Sequence, residues 1–154
     1  MKNVVIYIHG KYGTVEEAEY YKKFFNEADI IGFEYTSEYP WDFQKEFSNF
    51  IDNIYIKYKK ISIIANSIGA YFTMLSLTNK NIEKAFFISP IVDMEKLITD
   101  MMFLENITEE ELYKKKKLKL PLEKQCLGII LLLQEKILLN GIFQHISCME
   151  KMMI

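Results

Sequence analysis

An α/β fold, in which parallel strands are joined by helices that cover the sheet, is the class this sequence predicts. Three observations carry it. Short apolar runs rich in β-branched or aromatic residues recur at Val4–Ile8, Asp29–Tyr35, Ile61–Asn66 and Lys84–Ser89. The gaps between them hold stretches that read as helices. The chain has 154 residues, half of them hydrophobic, which suits one domain with its own core and not two. Parallel neighbours need a crossover over a sheet face, so this alternation has one economical topology. No internal repeat interrupts it.

The elements follow in order. Val4-Val5-Ile6-Tyr7-Ile8 is a buried-strand run that ends in His9-Gly10-Lys11-Tyr12-Gly13. Val15–Ala28 places Ala18, Tyr21, Phe24 and Phe25 at helical spacing, with Glu16 and Glu17 at the end where the helix dipole favours acids. Asp29–Tyr35 reads as the second strand, and Pro40 marks the turn before the next helix. Trp41–Lys60 is the longest helical pattern, with Phe43, Phe47, Phe50, Ile51, Ile54 and Tyr58 along one side. Those aromatic residues read as core contacts and not as a ligand cage. Ile61–Asn66 is the third strand, Ile68–Thr78 a helix, and Lys84–Ser89 the fourth strand. Asp93 is expected to cap a helix starting near Met94, and Met94–Met102 and Thr108–Lys117 look helical. Thr108-Glu109-Glu110-Glu111 has the form of a capping box, and Lys114–Lys117 reads as a solvated helix end.

The stretch that carries chemistry is Ala65-Asn66-Ser67-Ile68-Gly69, between an apolar strand and an apolar helix. Small residues two before and two after the serine let a backbone turn sharply without side-chain clashes. Taken alone, the pentapeptide also fits an ordinary serine at a strand-to-helix turn. In its strand–turn–helix context, with a second strand ending in His9-Gly10, it resembles the nucleophile elbow of α/β hydrolases, with Ala65 where glycine is commoner. That resemblance implies Ser67 as the catalytic nucleophile. It implies an oxyanion hole from the backbone N–H of Ile68 and of Lys11 or Tyr12, with His9 and Gly10 positioning the loop. A phosphate-binding loop at Gly10-Lys11 fails on spacing, because its first glycine falls at Val5 and its Ser/Thr at Tyr12. Asp93 as a catalytic acid is the lesser reading beside its capping role. The resemblance further implies a three-layer parallel sheet with helices on both faces, its strands in the spatial order second, first, third, fourth. It implies a small-molecule ester or similar acyl substrate and no cofactor.

The net charge of −2 gives no reason to expect nucleic acid or an anionic membrane as partner. The first apolar stretch is too short for a signal peptide and is broken by His9-Gly10. Cys126 and Cys148 have neither CxxC spacing nor metal-ligand neighbours, so no metal site is read and a reduced, cytoplasmic setting is the default.

From about Glu123 the chain changes character, which divides it into a hydrolase-like region, 1–122, and an anomalous tail, 123–154. The apolar run Leu127–Leu133 is too short to span a bilayer, and an amphipathic helix is its ordinary reading. The hydrolase pattern calls here for a strand, an acid, a further strand and a late histidine. The only histidine after Ser67 is His145, which carries no family meaning as base if the tail is out of frame. Restoring one nucleotide after Leu122 lets the tail read as an apolar strand followed by Y-G-x-x-D, which resembles the strand leading into the family's acid. The expectation is therefore a C-terminally incomplete hydrolase whose acid and base are missing. It should be weakly active or a non-catalytic binding remnant, and prone to self-association through the open edge of Lys84–Ser89.

Overall fold

A computed structural model describes residues 2–104 and 106–111 of the chain. Four parallel strands form its one sheet among these residues: β1 (Lys2–Ile8), β2 (Ala28–Gly32), β3 (Tyr58–Asn66) and β4 (Lys84–Ile88), in the order β2-β1-β3-β4. This is the α/β class with the expected strand order. A 3-10 helix (Val15–Phe24) joins β1 to β2, α1 (Pro40–Lys57) joins β2 to β3, and α2 (Ser67–Ser76) joins β3 to β4. The first crossover moves one way along the sheet and the next two move back. Right-handed connections therefore put the 3-10 helix on one face and α1 with α2 on the other. The chain divides into two compact units, Met1–Val92 and Asp93–Ile154, and the second begins with α3 (Met94–Leu104).

Strand register explains both cores. Val5 pairs with Ile30 and Ser62, and Tyr7 with Gly32 and Ile64. Val5, Tyr7 and Ile64 share a face, and they bury Ala18 of the 3-10 helix, with Tyr21 and Phe25 packed alongside. Ile6, Ile8, Ile61, Ile63 and Ala65 alternate to the opposite face and are 0–2 % exposed. There the fully buried Phe43, Phe47 and Ile51 of α1 supply the helical stripe read from the sequence. Phe33 and Tyr35, just past β2, meet Phe43 edge-on at 5.6 and 4.8 Å.

Three of the boundaries that differ from the sequence reading have a clear physical cause. Val15–Phe24 is a 3-10 helix and not an α-helix, and Phe24, expected inside, is exposed. The segment must run back from the carboxyl end of β1 to the amino end of β2. Ten residues cover about 20 Å at the 3-10 rise but only about 15 Å at the α rise. The helix expected to reach Lys60 stops at Lys57, and Tyr58 begins β3 directly. Pairing wins over local pattern there: Tyr58 pairs with Lys2, its hydroxyl donates to Asp29 Oδ2 at 3.1 Å, and Lys60 pairs with Asn3. β2 ends at Gly32 and not at Tyr35, because its partner β1 ends one residue beyond the last pair, Tyr7–Gly32.

Asp93 caps α3, accepting the Lys96 backbone N–H at 2.7 Å. Thr108 and Glu111 make the reciprocal capping box, Thr108 N–H to Glu111 Oε2 at 3.0 Å and Glu111 N–H to Thr108 Oγ at 3.3 Å. No helix among the described residues is long and apolar enough to cross a membrane. Lys114–Lys117, Cys126, His145, Cys148 and the tail 123–154 lie outside the described residues.

Candidate active site

Ser67 is the first residue of α2, directly after β3, and its φ is 52°. A serine in the left-handed region is strained, and the strain persists only where surrounding packing holds it. Tyr12, Asn79, Ser89 and Asn106 also have positive φ, so the angle alone does not single Ser67 out. Its place does: it stands at the carboxyl end of an interior strand, where ligands of open α/β sheets bind, and it is only half-buried.

Two glycines bring the neighbouring loop onto this turn. A Cβ at Gly69 would stand 2.2 Å from the His9 carbonyl oxygen and 2.9 Å from Ile8 Cγ2, so the first turn of α2 lies against the end of β1. A Cβ at Gly10 would stand 3.2 Å from Ser67 Cβ and 3.3 Å from the Asn66 carbonyl oxygen. The pairing of Ile8 with Ala65 makes this contact possible, because adjacent parallel strands end side by side. His9, Gly10 and Ser67 are thus brought together at one end of the sheet.

The loop after β1 is held from several sides. The Gly10 carbonyl accepts the Gly13 backbone N–H at 3.1 Å and lies 2.8 Å from His9 Nδ1. A carbonyl needs a donor, so Nδ1 carries a proton, while the buried Nε2 has no hydrogen-bond partner among the described residues. Because a trans peptide points its N–H opposite its carbonyl, anchoring the Gly10 carbonyl also fixes the direction of the Lys11 N–H. The His9 ring stacks on Tyr35 at 4.4 Å and 14°, and the Tyr35 hydroxyl donates to the His9 carbonyl at 2.8 Å. Tyr12 takes φ 65° at the exposed tip, with Lys11 Nζ 5.7 Å from its ring.

A polar pair on the other face lies against the same loop. The Tyr7 hydroxyl donates to Glu17 Oε2, whose carboxylate lies against Gly13 of the loop. Burial, reinforced by Glu17, pushes the Tyr7 phenol well above its usual range. Burial also raises Tyr35, and it pushes Tyr71, one turn along α2 from Ser67, up to about 12. Sequence reading missed Tyr7, Glu17 and Tyr35. Tyr7 and Tyr35 looked like strand residues, Glu17 like a dipole partner, and only register and long-range contacts reveal their other task.

A cavity of about 420 Å³, bordered by Asn3, Phe25, Lys60, Ser62, Lys84 and Phe86, opens toward the amino ends of the strands, and none of the site residues lines it. His9 is the only histidine among the described residues, and the Asp93 carboxylate is engaged as a helix cap. Among the described residues no group of three His, Cys, Asp or Glu side chains could hold a metal ion. No protein-family model matches the chain, and no curated protein matches it.

Proposed function

We propose that this chain is a serine hydrolase of the α/β-hydrolase kind, acting on an ester or similar acyl substrate through Ser67. One observation carries the reading: Ser67 occupies a left-handed strand-to-helix turn directly beneath the glycine loop of the neighbouring strand. In this reading Ser67 Oγ forms a bond to the acyl carbon, the carbonyl π electrons move to oxygen, and the serine proton leaves to a base. The backbone N–H groups of Ile68 and of Lys11 or Tyr12 stabilise that oxygen. Collapse of the intermediate breaks the bond to the leaving alcohol, which takes up a proton, and water then releases the acid.

A serine hydroxyl is a poor nucleophile without an adjacent base held by a third group. We further propose that the acid–base half of the site belongs to a reading frame lost after Leu122, which leaves turnover several orders of magnitude below an intact triad. Re-reading the gene around the Leu122 codon tests that part. The binding-module reading draws support from one observation, that the described histidine and Asp93 are both engaged in structural hydrogen bonds.

A fluorophosphonate probe separates the two readings. The hydrolase reading expects a covalent adduct on the Ser67 peptide, absent in Ser67→Ala while the fold is retained. An unlabelled Ser67 in a folded chain overturns it.

A further inference from the structure

Tyr12 occupies a backbone position made for glycine. The Gly13 N–H donates to the Gly10 carbonyl at 3.1 Å, which closes a four-residue turn over Gly10-Lys11-Tyr12-Gly13. Of these four residues only Tyr12 has a positive φ, 65°. A negative φ at the second residue and a positive φ at the third define a type II turn, whose third position calls for glycine or asparagine. Here the glycines stand at the two corners, neither with a positive φ, and the left-handed position carries a bulky ring. For a residue of this size that backbone is an outlier. Such strain persists only where the surrounding structure holds it, and it clusters at active sites and ligand clamps.

Core packing does not account for the tyrosine. Tyr12 is 68 % exposed, whereas Tyr7, Tyr35 and Tyr71 are all buried. Its position does account for it. Gly10, the first corner of the turn, lies on the candidate nucleophile, since a Cβ there would stand 3.2 Å from Ser67 Cβ. Two residues of chain reach about 7 Å at most, so Tyr12 stands at the rim of the Ser67 site. The turn that carries it is anchored through the Gly10 carbonyl, which also lies 2.8 Å from His9 Nδ1. A tyrosine ring supplies a large, rigid contact area at low entropic cost. It gains further from a second ring placed offset or edge-on to it.

We propose that Tyr12 is a substrate-contact residue that selects an aryl group: the strained turn holds its ring beside Ser67, where it packs against a ring carried by the acyl group. The inference rests on the serine-nucleophile reading for the site it serves. To that reading it adds the class of acyl group, arylacyl in preference to short aliphatic.

The experiment uses the full chain and the variants Tyr12→Gly and Tyr12→Phe. Glycine keeps the type II turn, and with it the amide directions of the loop, but removes the ring. Phenylalanine keeps the ring. The first readout is an NMR titration with phenylacetate and with acetate, the acids that an arylacyl and a short acyl ester release, followed at the Ile68 amide. Wild type is expected to bind phenylacetate about tenfold more tightly than acetate, Tyr12→Phe to keep that ratio, and Tyr12→Gly to bring it close to one, as loss of an aromatic pair requires. The ratio of labelling rates at Ser67 with a phenyl-bearing and a methyl-bearing fluorophosphonate is expected to follow the same order. Tyr12→Gly is also expected to raise the denaturation midpoint, because glycine takes a positive φ without strain. A ring with a merely structural task would give a lower midpoint and an unchanged ratio. No aryl preference in wild type, a preference that survives in Tyr12→Gly, or a lower midpoint in that variant overturns the proposal. The expected binding ratios without any labelling at Ser67 overturn the hydrolase reading alone and leave a site for aryl acids.

Discussion

Gly69 carries the sharpest steric demand near the candidate site, because a methyl group there would stand 2.2 Å from the His9 carbonyl oxygen, a backbone atom that cannot swing away. Gly69→Ala is therefore expected to destabilise the fold by about 3 kcal/mol, at the upper end of overpacking penalties, read as a lower denaturation midpoint at unchanged slope. A loss under about 0.5 kcal/mol would show that α2 slides freely past the end of β1. Tyr35→Phe tests the other anchor of the loop. It removes the donor to the part-buried His9 carbonyl at 2.8 Å, and the expected cost is about 1 kcal/mol, the usual net worth of such a hydrogen bond. The sequence exposed this scale unevenly. The small residues around Ser67 were legible because a tight turn demands them locally. The reason for Gly69 was not, because the oxygen it avoids belongs to a residue 60 positions earlier. Tyr7, Glu17 and Tyr35 were illegible as supports for the same reason: each acts through a tertiary hydrogen bond or a ring stack that no local pattern announces.

Helices and strands read well where burial is periodic and poorly where pairing competes. The stripe Phe43, Phe47, Ile51 and Ile54 in α1 was plain at 3–4-residue spacing, and all four are buried. Phe47→Ala is expected to cost about 3–5 kcal/mol, the usual range for emptying a phenylalanine site in a packed core, measured by chemical denaturation. Tyr58-Lys59-Lys60 extended that helical pattern in the sequence but starts β3 in the structure, because the strand-pairing partners Lys2 and Asn3 lie near the other end of the chain. Asp93 was legible as a cap because capping is a local geometry, satisfied three residues on by Lys96. Asp93→Ala is expected to weaken α3 by about 1 kcal/mol, seen as faster amide exchange in Glu95–Leu97 with little change in the sheet. Equal protection in the variant would mean that something other than the cap holds the start of α3.

For the molecule as a whole, the alternation of elements announced a parallel sheet, the resemblance implied its strand order and an open edge at Lys84–Ser89 was expected, while which side chains stand exposed along that edge emerges only from the assembled sheet. Two bulk properties follow. The first is alkaline instability. Tyr7, Tyr35 and Tyr71 all have phenols raised above the usual 10.0, chiefly by burial. The folded state then holds protons that the unfolded state releases, so this stability is complete below pH 10 and is lost as pH climbs through the folded values. The slope is about 1.4 kcal/mol per pH unit for each tyrosine. Tyrosinate absorbance from these three is expected to rise late, together with loss of helical signal. Titration of these three near pH 10 would contradict their burial. The second property is self-association, proposed from the sheet edge. Among the described residues β4 pairs only with β3, and Lys84, Phe86 and Ile88 on one of its faces are all exposed. Register puts Phe86 beside Ile64, so this apolar surface continues the face on which Tyr7 and Ile64 are buried farther in. Open edges with apolar side chains pair with other chains, and a net charge of −2 supplies little repulsion to prevent it. The wild-type chain is therefore expected to sediment as a concentration-dependent mixture, and a charge on the open face should shift it toward monomer. Phe86→Lys and Phe86→Glu move the net charge in opposite directions, so a shared shift identifies the apolar contact and not bulk electrostatics as its cause. A wild-type chain that stays monomeric across the concentration range would mean that the face is already covered, and the edge would no longer explain any association.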